Sequence, residues 1–115
     1  LGMLEAGADT FAGRIPTILK VNSSNSWATS IHQALTASVD DAVRLGCAAI
    51  GFTIYPGSDA IFESMQQIAE LSAEAKAYGL ATVIWSYPRG GKLSKEGELA
   101  LDVGAYAAHM AALLG

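Results

Sequence analysis

The stretch Ala48-Ala49-Ile50-Gly51-Phe52-Thr53-Ile54-Tyr55-Pro56-Gly57-Ser58 decides the fold. It runs without a charge from Ala48 to Tyr55 and then breaks at Pro56-Gly57, a turn signal. A near-continuous apolar run, rather than strict alternation, marks a strand covered on both faces, as in a parallel sheet. Two further segments share this character, Thr17-Ile18-Leu19-Lys20-Val21 upstream and Ala81-Thr82-Val83-Ile84-Trp85-Ser86-Tyr87 downstream.

Helical patterns lie between the runs. Ser38-Val39-Asp40-Asp41 reads as a capping-box start, and that helix stops at Gly46. Ser58-Asp59 can open the next, with Ser58 as a natural N-cap. Its apolar stripe is Ile61, Met65, Ile68, Leu71, Ala75 and Tyr78, and Gly79 ends it. After the third run, Leu99, Val103, Tyr106, Met110 and Leu113 form another stripe, with Gly115 at a C′ position. Leu1 to Gly13 resembles the end of an earlier helix and a short link.

The order β-α-β-α-β-α predicts parallel strands joined by crossover helices. Ile18 to Ile50 spans 32 residues and Ile50 to Val83 spans 33. A (β/α)8 barrel needs roughly 250 residues, about 31 per unit. The fold class is therefore α/β, a partial (β/α)8 barrel of about three βα units. Residues 1–115 form a single segment of one barrel domain, expected to be incomplete at both ends. A doubly wound sheet is the competing fold, but no Gly-x-Gly-x-x-Gly or P-loop follows a strand.

Composition narrows the function classes. The chain of 115 residues carries 7 Lys+Arg against 11 Asp+Glu, a net charge of −4. With a pI near 4.9 it lacks the basic footprint of a nucleic-acid binder. Its single Cys excludes an internal disulfide framework and four-Cys zinc modules. No apolar run is long enough to span a membrane, and the N-terminus shows no secretory signal. The expectation is a soluble, cytoplasmic protein. Mean hydropathy is +0.32 and only 16% of residues are charged, which suits the interior of something larger than an independent small domain.

In parallel α/β folds the working residues sit at strand C-terminal ends and in the following loops. Lys20 is a lone charge in an apolar strand. Either it reaches a polar pocket, towards a phosphate or carbonyl, or it snorkels to solvent. Tyr55 lines a pocket or closes the core. The third strand ends Trp85-Ser86-Tyr87-Pro88-Arg89-Gly90-Gly91-Lys92. Trp85, Tyr87 and Arg89 are two apart and share a face if the backbone stays extended, which Pro88 favours for Tyr87. A phenol can transfer protons when its environment tunes it, and an arginine suits carboxylate or phosphate. Lys20, Arg89, Lys92 and Lys95 all follow strand ends and predict a locally positive mouth, although Lys92 and Lys95 also read as solvated loop charges. His32 and His109 share no ligand spacing and are expected to be non-catalytic. Cys47 is expected to be an inert buried thiol, and Asp40-Asp41 to serve a helix N-terminus rather than a metal.

Together the segments Ile15 to Asn22, Ala49 to Ser58 and Val83 to Lys92 resemble the archaeal/bacterial-type class I fructose-bisphosphate aldolases, in the group containing the deoxyribose-phosphate aldolases. The resemblance covers nearly the whole chain in order. It implies a (β/α)8 barrel that cleaves fructose 1,6-bisphosphate to dihydroxyacetone phosphate and glyceraldehyde 3-phosphate through a Schiff base, with no metal and no cofactor. It casts Tyr87 as the proton-transfer residue, Trp85 as a lining residue, and Lys20 and Arg89 as substrate contacts. The partner implied is a phosphorylated sugar, with no nucleic acid or membrane, in a homo-oligomeric full-length protein. The family's Schiff-base lysine lies on the strand that would follow Gly115, and Lys20 does not occupy its position. An aspartate on the first barrel strand and the phosphate-binding loops of the last strands also fall outside these residues, which correspond to barrel strands three to five. The 115 residues alone are therefore expected to be inactive. Competing readings are a related synthase or thiolase acting on phosphorylated sugars, and a non-catalytic split barrel piece. A flavin- or nucleotide-binding module is disfavoured by the missing phosphate loop.

Overall fold

The computed structural model describes residues 1–115. Two short helices, α1 (Gly2–Ala6) and α2 (Ala8–Phe11), precede β1 (Ile18–Lys20). A small antiparallel pair follows, β2 (Asn22–Ser23) and β3 (Ala34–Leu35). Then come α3 (Val39–Arg44), β4 (Ala49–Ile54), α4 (Ile61–Ala77), β5 (Ala81–Ser86), a 3-10 turn at Gly97–Leu99 and α5 (Leu101–Leu113).

β1, β4 and β5 form one parallel sheet in the order β1-β4-β5. The apolar run at Ala49–Ile54 is its central strand, and all six residues are buried. Register sets the two faces, because side chains alternate along a strand. Leu19, Val21, Ile50, Phe52, Ile54 and Ile84 face the helices, where they pack with Ile61, Ile68 and Ala75 of α4 and Met110 of α5. Ile18, Lys20, Gly51, Thr53, Val83 and Trp85 line the other face, which no helix covers. That one-sided helical layer is the arrangement of consecutive βα units in a barrel wall.

The capping box forms as the sequence reads. The Ser38 side chain accepts from the Asp41 amide, and the Asp41 carboxylate accepts from the Ser38 amide. Three expectations are corrected. Ser58 does not cap a helix: Ser58 N–H donates to Tyr55 C=O in a turn, and α4 begins at Ile61 with no side-chain cap. The stripe of α5 is displaced, since Leu99, Tyr106 and Leu113 are exposed while Ala107 and Met110 are buried. The buried face of α5 is set by its packing against β5 and centres on Ala107 and Met110. On α4, Tyr78 is exposed and Ser72 is buried instead. The β2–β3 hairpin lies in the Ser/Asn-rich segment after the first strand, where two-residue strands carry no periodicity to read.

Candidate functional site

Asn22 organises the end of the first strand. Val21 N–H still donates to Gly51 C=O at 2.8 Å. Beyond it the backbone turns away to pair with β3, and the Asn22 side chain takes over. Its Oδ1 accepts from Thr53 N–H and its Nδ2 donates to Thr53 C=O, both at 2.8 Å. Asn22 is buried, as is Thr53. A carboxamide is the side chain that matches one donor and one acceptor of an extended backbone. In the sequence Asn22 carries no periodic or motif signal of this role. The available signal was an apolar strand ending in an amide immediately before a loop.

Lys20 is held beside this junction. Its Nζ donates to the backbone carbonyl of Asn22, approaches Asn22 Oδ1 at 3.4 Å and Gln33 Oε1 at 3.3 Å. All three partners are neutral oxygens. The ion pairs of the chain are Arg44–Glu5 and Arg44–Asp41, and Lys20 belongs to neither. Partial burial pushes its ammonium below the usual lysine range, because desolvation disfavours the charged form.

Trp85 lies on the same face. A Cβ on Gly51 would collide with Trp85 Cζ3 and Cη2, so the indole ring rests on the glycine. Gly51 is the register partner of Lys20 on one side and of Val83 on the other. Glycine at this position makes room for the ring on a sheet whose other strand residues carry side chains.

Tyr87 follows β5, with its N–H bonded to Ile54 C=O at 3.1 Å. Its ring packs against Tyr55, centroids 6.0 Å apart. The Arg89 guanidinium sits 5.3 Å from the Tyr87 ring centroid, a cation–π contact. Arg89 N–H turns back to Tyr87 C=O at 2.7 Å, so the extended backbone assumed in the sequence does not continue through Pro88. The guanidinium reaches the phenol by folding over it.

Glycines let the two loops touch. Gly57 N–H donates to Arg89 C=O at 3.2 Å, and side chains at Gly57 or Gly91 would collide with the opposite backbone. Gly90 and Gly91 also have positive φ, which favours glycine. A cavity of about 260 Å³ opens beside them, lined by residues including His32, Ser58 and Asp59. A second, of about 440 Å³, lies between these loops and α5, lined by Pro56, Leu93, Val103 and Tyr106 among others. Neither is lined by Lys20, Trp85, Tyr87 or Arg89.

The structure thus places Lys20 at the end of β1 and Trp85 and Tyr87 at the end of β5 and just after it, and joins Arg89 to Tyr87. Lys92 and Lys95 stay exposed in the following loop. His109 lies on α5 beside Tyr106, away from this face. Cys47 is buried. Tyr55 and Gln33 enter the arrangement: Gln33 Nε2 lies 3.5 Å from Tyr55 Oη while its Oε1 meets Lys20.

Residues 1–115 match a family model described as DeoC/LacD family aldolase. A class 1 fructose-bisphosphate aldolase of Thermoproteus tenax is 39% identical over 106 residues, covering 91% of this chain and 40% of that protein. The crystal structure of an archaeal fructose 1,6-bisphosphate aldolase superposes with a TM-score of 0.87 at 37% identity, over 99% of this chain and 44% of the other. Another archaeal fructose-1,6-bisphosphate aldolase structure, with its catalytic lysine covalently bound to the carbinolamine intermediate of the substrate, gives 0.87 at 36% identity. The chain therefore spans about 40% of the length of the curated relative it matches.

Proposed function

The chain belongs to the DeoC/LacD family of aldolases, and from that premise we propose that it supplies one wall of the active site of a class I fructose 1,6-bisphosphate aldolase. The observation that carries this reading is the placement of Lys20 and Trp85 on the helix-free face of the parallel sheet, with Tyr87 directly after β5 against Tyr55, at the strand ends where such barrels work. The reaction is reversible cleavage to dihydroxyacetone phosphate and glyceraldehyde 3-phosphate.

A Schiff-base lysine condenses with the substrate carbonyl and loses water. The resulting iminium accepts the electron pair of the breaking carbon–carbon bond. Tyr87 carries the accompanying proton transfer. Its phenol is exposed and hydrogen-bonded to no protein group in the structure, so its oxygen is free to meet substrate. Trp85 walls the site, and Lys20 and Arg89 supply positive charge towards a phosphorylated sugar. An ammonium satisfied by neutral oxygens keeps its charge for an incoming anion.

The nucleophilic lysine is assigned outside these residues, so the 115 residues by themselves are proposed to be inactive, a single segment of a barrel domain. The full activity is proposed to be metal-independent, cytoplasmic and housed in a homo-oligomer. The test is to incubate the gene product containing these residues with fructose 1,6-bisphosphate and trap it with borohydride. Triose phosphate release with a trapped covalent adduct is expected. A protein that neither cleaves nor is trapped overturns the reading.

A further inference from the structure

Gln33 stands where the β2–β3 hairpin returns to the sheet. The hairpin fixes its position: Asn22 pairs with Leu35, Ser23 with Ala34, and Thr36 N–H donates to Val21 C=O at 2.8 Å. Gln33 is half-buried while His32, Ala34 and Leu35 beside it are exposed. Each end of its carboxamide meets matching chemistry. Oε1 lies 3.3 Å from the Lys20 ammonium, and Nε2 lies 3.5 Å from the Tyr55 hydroxyl, whose ring packs on Tyr87. These are long hydrogen bonds of a site without substrate, the kind that tighten when substrate binds. The residue is also neutral. A carboxylate here would pair with Lys20 and cancel the charge that the face presents.

We propose that Gln33 is a positioning residue: it holds the Lys20 ammonium and the Tyr55 hydroxyl in one arrangement while leaving the ammonium's charge uncompensated for an anionic substrate. This rests on the aldolase reading given above. The role requires a side chain that accepts at one end, donates at the other and carries no charge, conditions that the Gln33 amide meets.

The test uses the gene product containing these residues with fructose 1,6-bisphosphate as probe. Gln33→Glu has nearly the same shape and adds the carboxylate. It is expected to raise KM on the order of tenfold, the scale of coupling between neighbouring polar groups, with a smaller change in kcat and an unchanged Tm. Gln33→Met keeps bulk and loses both bonds; it is expected to lower kcat/KM in the wild-type background and to cost little more once Lys20→Met is present. Unchanged KM in Gln33→Glu, or equal losses from Gln33→Met in both backgrounds, overturns the proposal. If the wild-type protein does not cleave the sugar, the aldolase reading fails separately. The arrangement is then read from the NMR titration of the Lys20 side chain, against Tyr55, Tyr87 and Arg89 as the ionisable groups on this face. A higher midpoint in Gln33→Glu than in wild type is expected, and an identical midpoint overturns the proposal.

Discussion

The Asn22 carboxamide occupies the place of a strand backbone against Thr53, bonding its N–H and its C=O at 2.8 Å each. The first strand can therefore leave the sheet without exposing the ladder of the central strand. This releases the chain to build the hairpin that carries Gln33 back over Lys20.

Asn22→Ala leaves two buried backbone groups of Thr53 without partners. Unmade buried hydrogen bonds cost about 1–3 kcal/mol each, so a loss of about 2–6 kcal/mol is expected. Urea unfolding monitored by far-UV circular dichroism measures it. A loss below about 1 kcal/mol shows that another group or water replaces the amide.

Gly51→Ala forces the Trp85 ring off the sheet, because the new methyl takes the position of its six-membered ring. Trp27 is almost fully exposed and would mask the signal, so the comparison is made in a Trp27→Phe background. Trp85 emission is expected to shift to longer wavelength. An unmoved spectrum means that the ring does not rest on Gly51.

Asp41 accepts from the Ser38 backbone amide and hydroxyl and from Arg44, which holds its carboxyl below the usual aspartate range. A folded-state value below the unfolded one stabilises the fold above the unfolded pKa, about 4, and the contribution is lost as pH falls through the folded value. Asp41→Asn is expected to lower Tm at neutral pH and to converge with wild type under acid. A Tm difference that stays constant on acidification contradicts the ionised cap.

Tyr87→Phe keeps the ring that packs on Tyr55 and under Arg89 and removes only the hydroxyl. Cleavage of fructose 1,6-bisphosphate by the gene product is expected to fall by about 10²–10⁴, the usual contribution of a positioned proton-transfer group, at unchanged Tm. The purified 115 residues are expected to show no cleavage and no borohydride adduct. Activity of this segment alone would place the nucleophile within it.

The strands, their parallel order and the helices between them were legible because burial on both faces writes itself as the apolar runs at Ile18, Ile50 and Val83, about one βα unit apart. The family resemblance was legible from the three strand ends in register, where Lys20, Tyr55 and the Trp85-Ser86-Tyr87-Pro88-Arg89 stretch lie at the C-terminal ends of β1, β4 and β5. Tertiary structure decided what joins them. Asn22 and Gln33 act on partners 31 and 13 residues away along the chain, through single amides that no periodicity marks. The face of α5 was misread for a related reason. Helical spacing reports which residues are apolar, but packing against the sheet decides which face is buried, here Ala107 and Met110 rather than Tyr106 and Leu113.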